Sequence, residues 1–309
     1  MAGNVSGTEP APTHAQMTAQ PPDPTAPPGA ASAEAVSLTA AGQASAENFP
    51  VALRILPARY RRHLMALYGF ARLTDDIGDE VSPAERMRLL DELEADVRRI
   101  YDGGTPQLAA IRELAVTVAG CGVPAQPLLD LIQANRQDQL VARYDTIDDL
   151  VGYCRLSANP IGLVVLYIFG AATPARERLS DSICTALQLA EHWQDVAEDF
   201  GKGRIYLPGA DRDKFGVTEA DLAAAVTGPK VRALMTYEVD RASALLDEGA
   251  PLVGTLRGAA RLAVAGYLAG GRAALAAIRA ADYDVLAVTP HPDKRVTARL
   301  AIQAYLRGR

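Results

Sequence analysis

The chain has 309 residues, of which 49% are hydrophobic, enough for a sizeable core without disulfides or structural metals. Its net charge of −6 argues against nucleic acid as the main partner. Cys121, Cys154 and Cys184 are far apart and form no CxxC pair, which suits a reduced, cytosolic protein and offers no zinc site. Residues 1–45 are rich in Pro, Ala, Ser and Thr, with Pro21-Pro22 and Pro27-Pro28 pairs and no apolar periodicity. Such a segment cannot bury enough surface to offset its ordering entropy, so a disordered tail is expected there. No basic stretch precedes a compact apolar run, and no secretory signal is expected.

From 46 to 309 the pattern predicts one all-α domain. Val, Ile and Thr never alternate over a strand length, while Ala, Leu and Arg recur at three-and-four spacing. Pro57 suits a first helical turn, and the helix it opens runs to about Gly78 with Leu64, Leu67, Tyr68 and Ala71 on one apolar face. Ser82-Pro83-Ala84-Glu85 reads as a capping box for a helix ending near Tyr101. Further helices are predicted at 106–120, 125–141, 146–171 and 175–200. A short one is capped by Thr218 to Asp221, and longer ones cover 229–249, 252–281 and 292–307. Gly, Pro and charge place loops at Asp102-Gly103-Gly104, at Gly120 to Pro124 and at Lys202 to Gly216. The longest apolar region, 251–278, is interrupted by Arg257, Arg261 and Arg272. It falls short of the roughly 18–20 uncharged apolar residues of a membrane span, so at most the chain is expected to rest on a membrane surface.

Two carboxylate clusters carry the chemistry. In Asp75-Asp76-Ile77-Gly78-Asp79-Glu80, a spacing of four puts Asp75 and Asp79 on one helical face and Asp76 and Glu80 on the next. In the second cluster Glu191, Asp195 and Asp199 form a column at i, i+4 and i+8. Like charges so spaced destabilise a helix unless a cation compensates them. Tyr68, Phe70, Leu73, Trp193 and Val196 flank the acids, where a solvated acidic face would carry Lys or Arg partners. Hard oxygen ligands on opposed helices suit Mg²⁺, which keeps waters and bridges to phosphate oxygens. Arg72, Lys202 and Arg204 beside the clusters read as diphosphate clamps. His192 reads as a packed or solvated residue rather than a base. A cation formed from the diphosphate would need an apolar pocket to protect it from water.

These residues resemble the squalene/phytoene synthase family. The resemblance rests on Tyr68-Gly-Phe-Ala-Arg72-Leu-Thr-Asp75-Asp76-Ile-Gly-Asp79, on Gln188-Leu-Ala-Glu191-His-Trp-Gln-Asp195-Val-Ala-Glu-Asp199, and on Lys202-Gly-Arg204-Ile-Tyr206-Leu-Pro208. Glu47-Asn48-Phe49-Pro50, the run Tyr153 to Gly162 and Tyr283-Asp284-Val285-Leu286 point to its bacterial hydroxysqualene synthase branch, which serves hopanoid pathways. The resemblance implies an isoprenoid synthase helical bundle around a central apolar pocket. It also implies Mg²⁺-dependent conversion of presqualene diphosphate to hydroxysqualene, by ionisation, rearrangement and water capture. Carried over by motif position, Asp75, Asp79, Asp195 and Asp199 hold metal, with Glu191 beside them. Arg72, Lys202, Arg204 and Tyr206 meet diphosphate, and Tyr68, Tyr153 and Gln188 line the reacting end. Phe49 stands at the mouth, and Asn48 and Asn159 are expected at the substrate.

No reducing cofactor is implied, and no GxGxxG fingerprint occurs after a strand. The expected setting is cytoplasmic, peripheral to the inner membrane, with substrate handed over by a presqualene diphosphate synthase. Three departures stand out: Glu191 where most members carry Asn, Gly271 where several carry Tyr, and Ala287-Val288-Thr289 without an Arg that many carry. Gly271 is expected to widen the pocket or remove a hydroxyl. The competing readings are synthesis of presqualene diphosphate, dehydrosqualene or phytoene, and a non-catalytic assembly partner.

Overall fold

A computed structural model describes residues 56–307, and every regular element among them is an α-helix. The expected tail, Asn48 and Phe49 lie outside the described residues. In chain order the helices are α1 (Ala58–Asp79), α2 (Pro83–Tyr101), α3 (Ala109–Cys121), α4 (Gln126–Asp138), α5 (Ile147–Ser157), α6 (Asn159–Ile168) and α7 (Pro174–Gln194). Then follow α8 (Val196–Gly201), α9 (Gly209–Phe215), α10 (Glu219–Leu222), α11 (Pro229–Gly249), α12 (Leu252–Thr255), α13 (Gly258–Ala280) and α14 (Lys294–Arg307). The only extended pairing among these residues is an isolated parallel bridge between Arg143 and Ile205.

Several boundaries differ from the sequence pattern for local reasons. The stretch predicted as one helix over 146–171 breaks at Ala158, two residues before Pro160, whose ring and missing N–H disrupt a helix interior. Taken across that break, Ile147–Ile168 has the length and apolarity of a membrane span, but 56% of its most apolar window is buried inside the protein. It is a core segment. The helix predicted at 175–200 stops at Gln194, with Asp195 at φ −103° and ψ 18°. The Lys202 to Gly216 loop contains α9, and 252–281 splits at the extended Leu256. Ser82 makes no side-chain cap, so the predicted box there does not form. Boxes close instead at Thr218 with Asp221, as expected, and at Thr146 with Asp149.

Two helices organise the interior. On α1, Phe70, Leu73 and Ile77 are fully buried on one face and pack into the cluster that also holds residues of α2, α3 and α4. On α7, Ile183, Ala186, Ala190 and Trp193 form a buried stripe at helical spacing, packed with α11 and α13. Each large apolar side chain so buried contributes about 1.5–3 kcal/mol. Both helices therefore have a second face left over.

Candidate active site

Those second faces line one cavity. On α1 the lining residues are Leu64, Leu67, Tyr68 and Ala71; continuing the same stripe by four residues reaches Asp75. On α7 they are Ser180, Cys184 and Leu187, and four residues further stands Glu191. Each helix thus runs from apolar wall to acid along a single face. Val165 and Leu166 of α6, Leu252 of α12, and Val264 and Tyr267 of α13 complete an apolar chamber of about 260 Å³. Next to it a polar cleft of about 500 Å³ is lined by Arg72, Asp75, Asp76, Asp79, Glu80, Arg86, Lys202 and Arg204.

The cleft is electrostatically crowded. Asp75 is open to solvent on the cleft side, but protein packs round the rest of it, and that desolvation pushes its carboxyl up to about 7. A hydrogen bond from Asn135 Nδ2 at 3.3 Å opposes the rise, while the charges of Asp79, Glu191 and Asp138 add to it. Burial likewise raises Glu191, with His192 opposing and Asp195 and Asp199 adding. Asp195 is raised by burial and by Asp199 and Glu198, and lowered by His192 and His291. The charge of Glu191, 116 residues further along the chain, therefore reaches Asp75 across the site.

The cations pair with neighbouring acids of the same two clusters. Arg204 Nη2 lies 3.0 Å from Asp79 Oδ1 and joins the second motif to the first. Arg72 meets Asp76 at 2.7 Å and Glu80 at 3.2 Å, and the exposed Lys202 meets Glu198 at 2.7 Å. The expected clamps stand at the cleft, each already paired with a carboxylate.

Residues 43–301 match the squalene/phytoene synthase family description, which covers more than half of the chain. The chain belongs to the squalene/phytoene synthase family. It is 34% identical over 214 residues to the hydroxysqualene synthase of Rhodopseudomonas palustris, a match covering 68% of this chain and 72% of that one. It is also 34% identical over 203 residues to a phytoene synthase of Mycobacterium bovis, covering 64% and 66%. Among solved structures, squalene synthase HpnC from Alicyclobacillus acidocaldarius superposes with a TM-score of 0.75 at 42% identity, covering 81% of this chain and 95% of that one. A dehydrosqualene synthase superposes with a TM-score of 0.79 at 24% identity, a likeness of fold.

Within this family fold, the remaining expected residues separate into those at the cavity and those behind it. Tyr68 lines the chamber just below Asp75. Tyr153 is buried and donates from its hydroxyl to Asp138 Oδ2 at 2.7 Å. Tyr206 is buried with its ring 3.6 Å from that of His192 and nearly parallel to it; burial pushes its hydroxyl pKa up. Gln188 Nε2 approaches His192 Nε2 at 3.3 Å, so the histidine is packed, as read from the sequence. Asn159 is not at the cavity: its oxygen accepts from Thr185 Oγ1 at 3.0 Å, a buried link between α6 and α7. Asp195 is the hinge between α7 and α8 rather than a mid-helix residue, although its N–H still reaches Glu191 O and its own carbonyl takes Asp199 N–H.

Gly271 does not widen the chamber. A Cβ there would lie 2.8 Å from Leu187 Cδ2 and 3.2 Å from both Leu246 Cδ atoms, so the space is filled by leucines. The chamber's tyrosine on α13 is Tyr267, one turn earlier.

Two residues that sequence reasoning missed come from α4. Asn135 supports Asp75, and it fits only because Gly78 lacks a side chain; a Cβ there would collide with Asn135 Oδ1. Asp138 holds Tyr153 and is pushed up to about 6 by burial, against the Tyr153 bond and Arg204. An unbroken run of polar residues closing α4, Asn135 to Asp138, was the available signal.

The donors fit a hard divalent cation. No three His, Cys, Asp or Glu side chains among the described residues converge on one point. Mg²⁺ does not need such a cage, since it takes one or two carboxylates and fills its shell with water and phosphate oxygens. Burial is the main cause of the raised carboxyls of Asp75, Glu191 and Asp195, and neighbouring acids add to each; that added part is what a cation would relieve.

Proposed function

We propose that the protein converts presqualene diphosphate to hydroxysqualene with Mg²⁺, in squalene and hopanoid synthesis at the cytoplasmic side of the inner membrane. One observation carries the reading: the apolar stripes of α1 and α7 that wall a single chamber each continue, one turn on, into an acid, Asp75 and Glu191, and the charge of Glu191 reaches Asp75. A diphosphate head belongs with the acids and a hydrocarbon body below. Asp75, Asp79, Asp195 and Asp199, with Glu191, would hold the metal, which when bound neutralises the diphosphate and makes it a good leaving group.

Arg204, Arg72 and Lys202 exchange their carboxylate partners for phosphate oxygens. The C–O bond breaks with its electron pair leaving on diphosphate. The apolar chamber excludes all but the capturing water while the cation rearranges and its cyclopropane opens. That water forms the new C–O bond and gives up one proton, so no reductant is consumed.

The likeness to hydroxysqualene synthases and to squalene synthase HpnC supports this branch of the family. A second reading, condensation of two prenyl diphosphates, is favoured by equal identity to a phytoene synthase. Incubation with presqualene diphosphate and Mg²⁺ in ¹⁸O-water should give labelled hydroxysqualene at a rate that NADPH does not change. Unlabelled alcohol would contradict water capture. NADPH-dependent squalene would indicate a reductive step, and consumption of prenyl diphosphates alone would establish the second reading.

A further inference from the structure

The last helix presents a face that the proposed chemistry does not use. From Lys294 to Arg307, α14 carries Lys294, Arg295, Arg299 and Arg307 and no acid, in a chain whose net charge is −6. Ala304 is buried, and Leu300 and Tyr305 are half-buried on the side packed against α13. The outward residues Arg295, Arg299, Ile302 and Leu306 are spaced four, three and four apart and so share one stripe, with Lys294 and Arg307 at its edges. Ile302 is 61% and Leu306 52% exposed. None of the four cations has an ion-pair partner among the described residues. A merely solvated helix face would mix both signs.

The location gives this face a consequence. The segment entering α14 touches the acid site: the Gln194 side-chain amide donates to Pro290 O, and His291 lies within electrostatic reach of Asp195. Further along, α14 packs on α13 and α12, which contribute Val264, Tyr267 and Leu252 to the chamber wall.

We propose that α14 lies flat on an anionic lipid bilayer, its arginines on headgroup phosphates and Ile302 and Leu306 in the boundary between headgroups and acyl chains. Charge complementarity selects this occupant: a cationic stripe holding only two apolar side chains suits a lipid surface better than a dry protein interface, whose core is depleted of charge. The role suggested for the surface, meeting a diphosphate held in a membrane, rests on the function proposed above; the surface itself is tested without substrate.

The full chain would be floated with vesicles of equal parts phosphatidylcholine and phosphatidylglycerol, and with phosphatidylcholine alone. Binding is expected only to the anionic vesicles, and to weaken as salt rises. Each cation near such a surface contributes about fivefold in partition, so Arg295→Gln with Arg299→Gln should weaken binding by about 25-fold. Ile302→Asn with Leu306→Asn should weaken it too, and less steeply with salt. Both pairs are exposed, and unchanged far-ultraviolet circular dichroism would verify the fold. The proposal is overturned if the wild-type chain ignores anionic vesicles, or if it binds them and both pairs bind equally well. Self-association lost in these variants, without vesicle binding, would instead make the face a contact between copies and also overturn it. Turnover of presqualene diphosphate in detergent should be the same in all variants, so a wrong substrate assignment would show there and leave the vesicle result intact.

Discussion

Tyr153→Phe removes one hydroxyl, and the cost should depend on pH. That hydroxyl donates to Asp138 Oδ2 at 2.7 Å, while Asp138 Oδ1 is buried without a hydrogen-bond partner. Burial lifts the Asp138 carboxyl from 3.8 to about 6, and the Tyr153 bond is the largest influence holding it down. A folded-state value above the unfolded one means stability that is fully present at low pH and is lost as pH rises through the folded value. The rise to about 6 corresponds to about 3 kcal/mol lost on going to alkaline pH. Without the tyrosine hydroxyl, Asp138 titrates higher still and the loss deepens.

A hydrogen bond to an ionised carboxylate contributes about 1.5–3 kcal/mol, and one to a neutral carboxyl about 0.5–1.5 kcal/mol. Urea unfolding should therefore show Tyr153→Phe destabilised by about 1.5–3 kcal/mol near pH 8 and by roughly half that near pH 5, where Asp138 is protonated. Equal losses at both pH values, or a larger loss in acid, would refute the pairing of the Tyr153 hydroxyl with an ionised Asp138.

Asp75→Ala and Asp195→Ala should each lower turnover of presqualene diphosphate by at least ~100-fold with circular dichroism unchanged, the scale of one lost electrostatic contact to a transition state. Near-normal turnover in either would remove that residue from the site. Glu191→Asn takes one negative charge from the face that Asp75 senses, so the Mg²⁺ activation curve should shift while the product stays the same; an unshifted curve would make Glu191 an ordinary helix-face acid. Gly271→Tyr must displace Leu187 and Leu246, whose methyls already lie 2.8 Å and 3.2 Å from where a Cβ would stand. Overpacking of that kind costs about 1–3 kcal/mol, or roughly 2–4 °C of Tm per kcal/mol in a chain of this size. An unchanged Tm would show that the pocket has room there after all.

What the sequence could express was whatever is periodic along one helix. The stripe Leu64, Leu67, Tyr68, Ala71 and the spacing of Asp75 and Asp79 follow from 3.6 residues per turn, and the structure keeps them on α1. The helix breaks were harder to read. Pro160 announces the one at Ala158, but Asp195 interrupts α7 with no Gly or Pro beside it, in the middle of the acid column. Which helix supports which acid depends on packing between distant segments, and periodicity carries no information about that. Asn135 reaches Asp75 because Gly78 admits α4 against α1, a fact visible only once both helices are in place. Gly271 shows the converse. Comparing residue types position by position predicted empty volume, but the volume at a helix crossing belongs to both partners, and Leu187 and Leu246 had already taken it. The paired cations teach the same lesson. Arg204 follows the second acid cluster in sequence, yet it sits on Asp79 of the first, so the two motifs are joined by an ion pair before any diphosphate enters. On the proposed function, a diphosphate would compete with Asp79 for that guanidinium, and a cation that neutralises Asp79 would release Arg204 to the phosphate at the same moment. If the proposed function holds, metal and diphosphate would favour each other's binding through this pair, whose members are 125 residues apart in the chain.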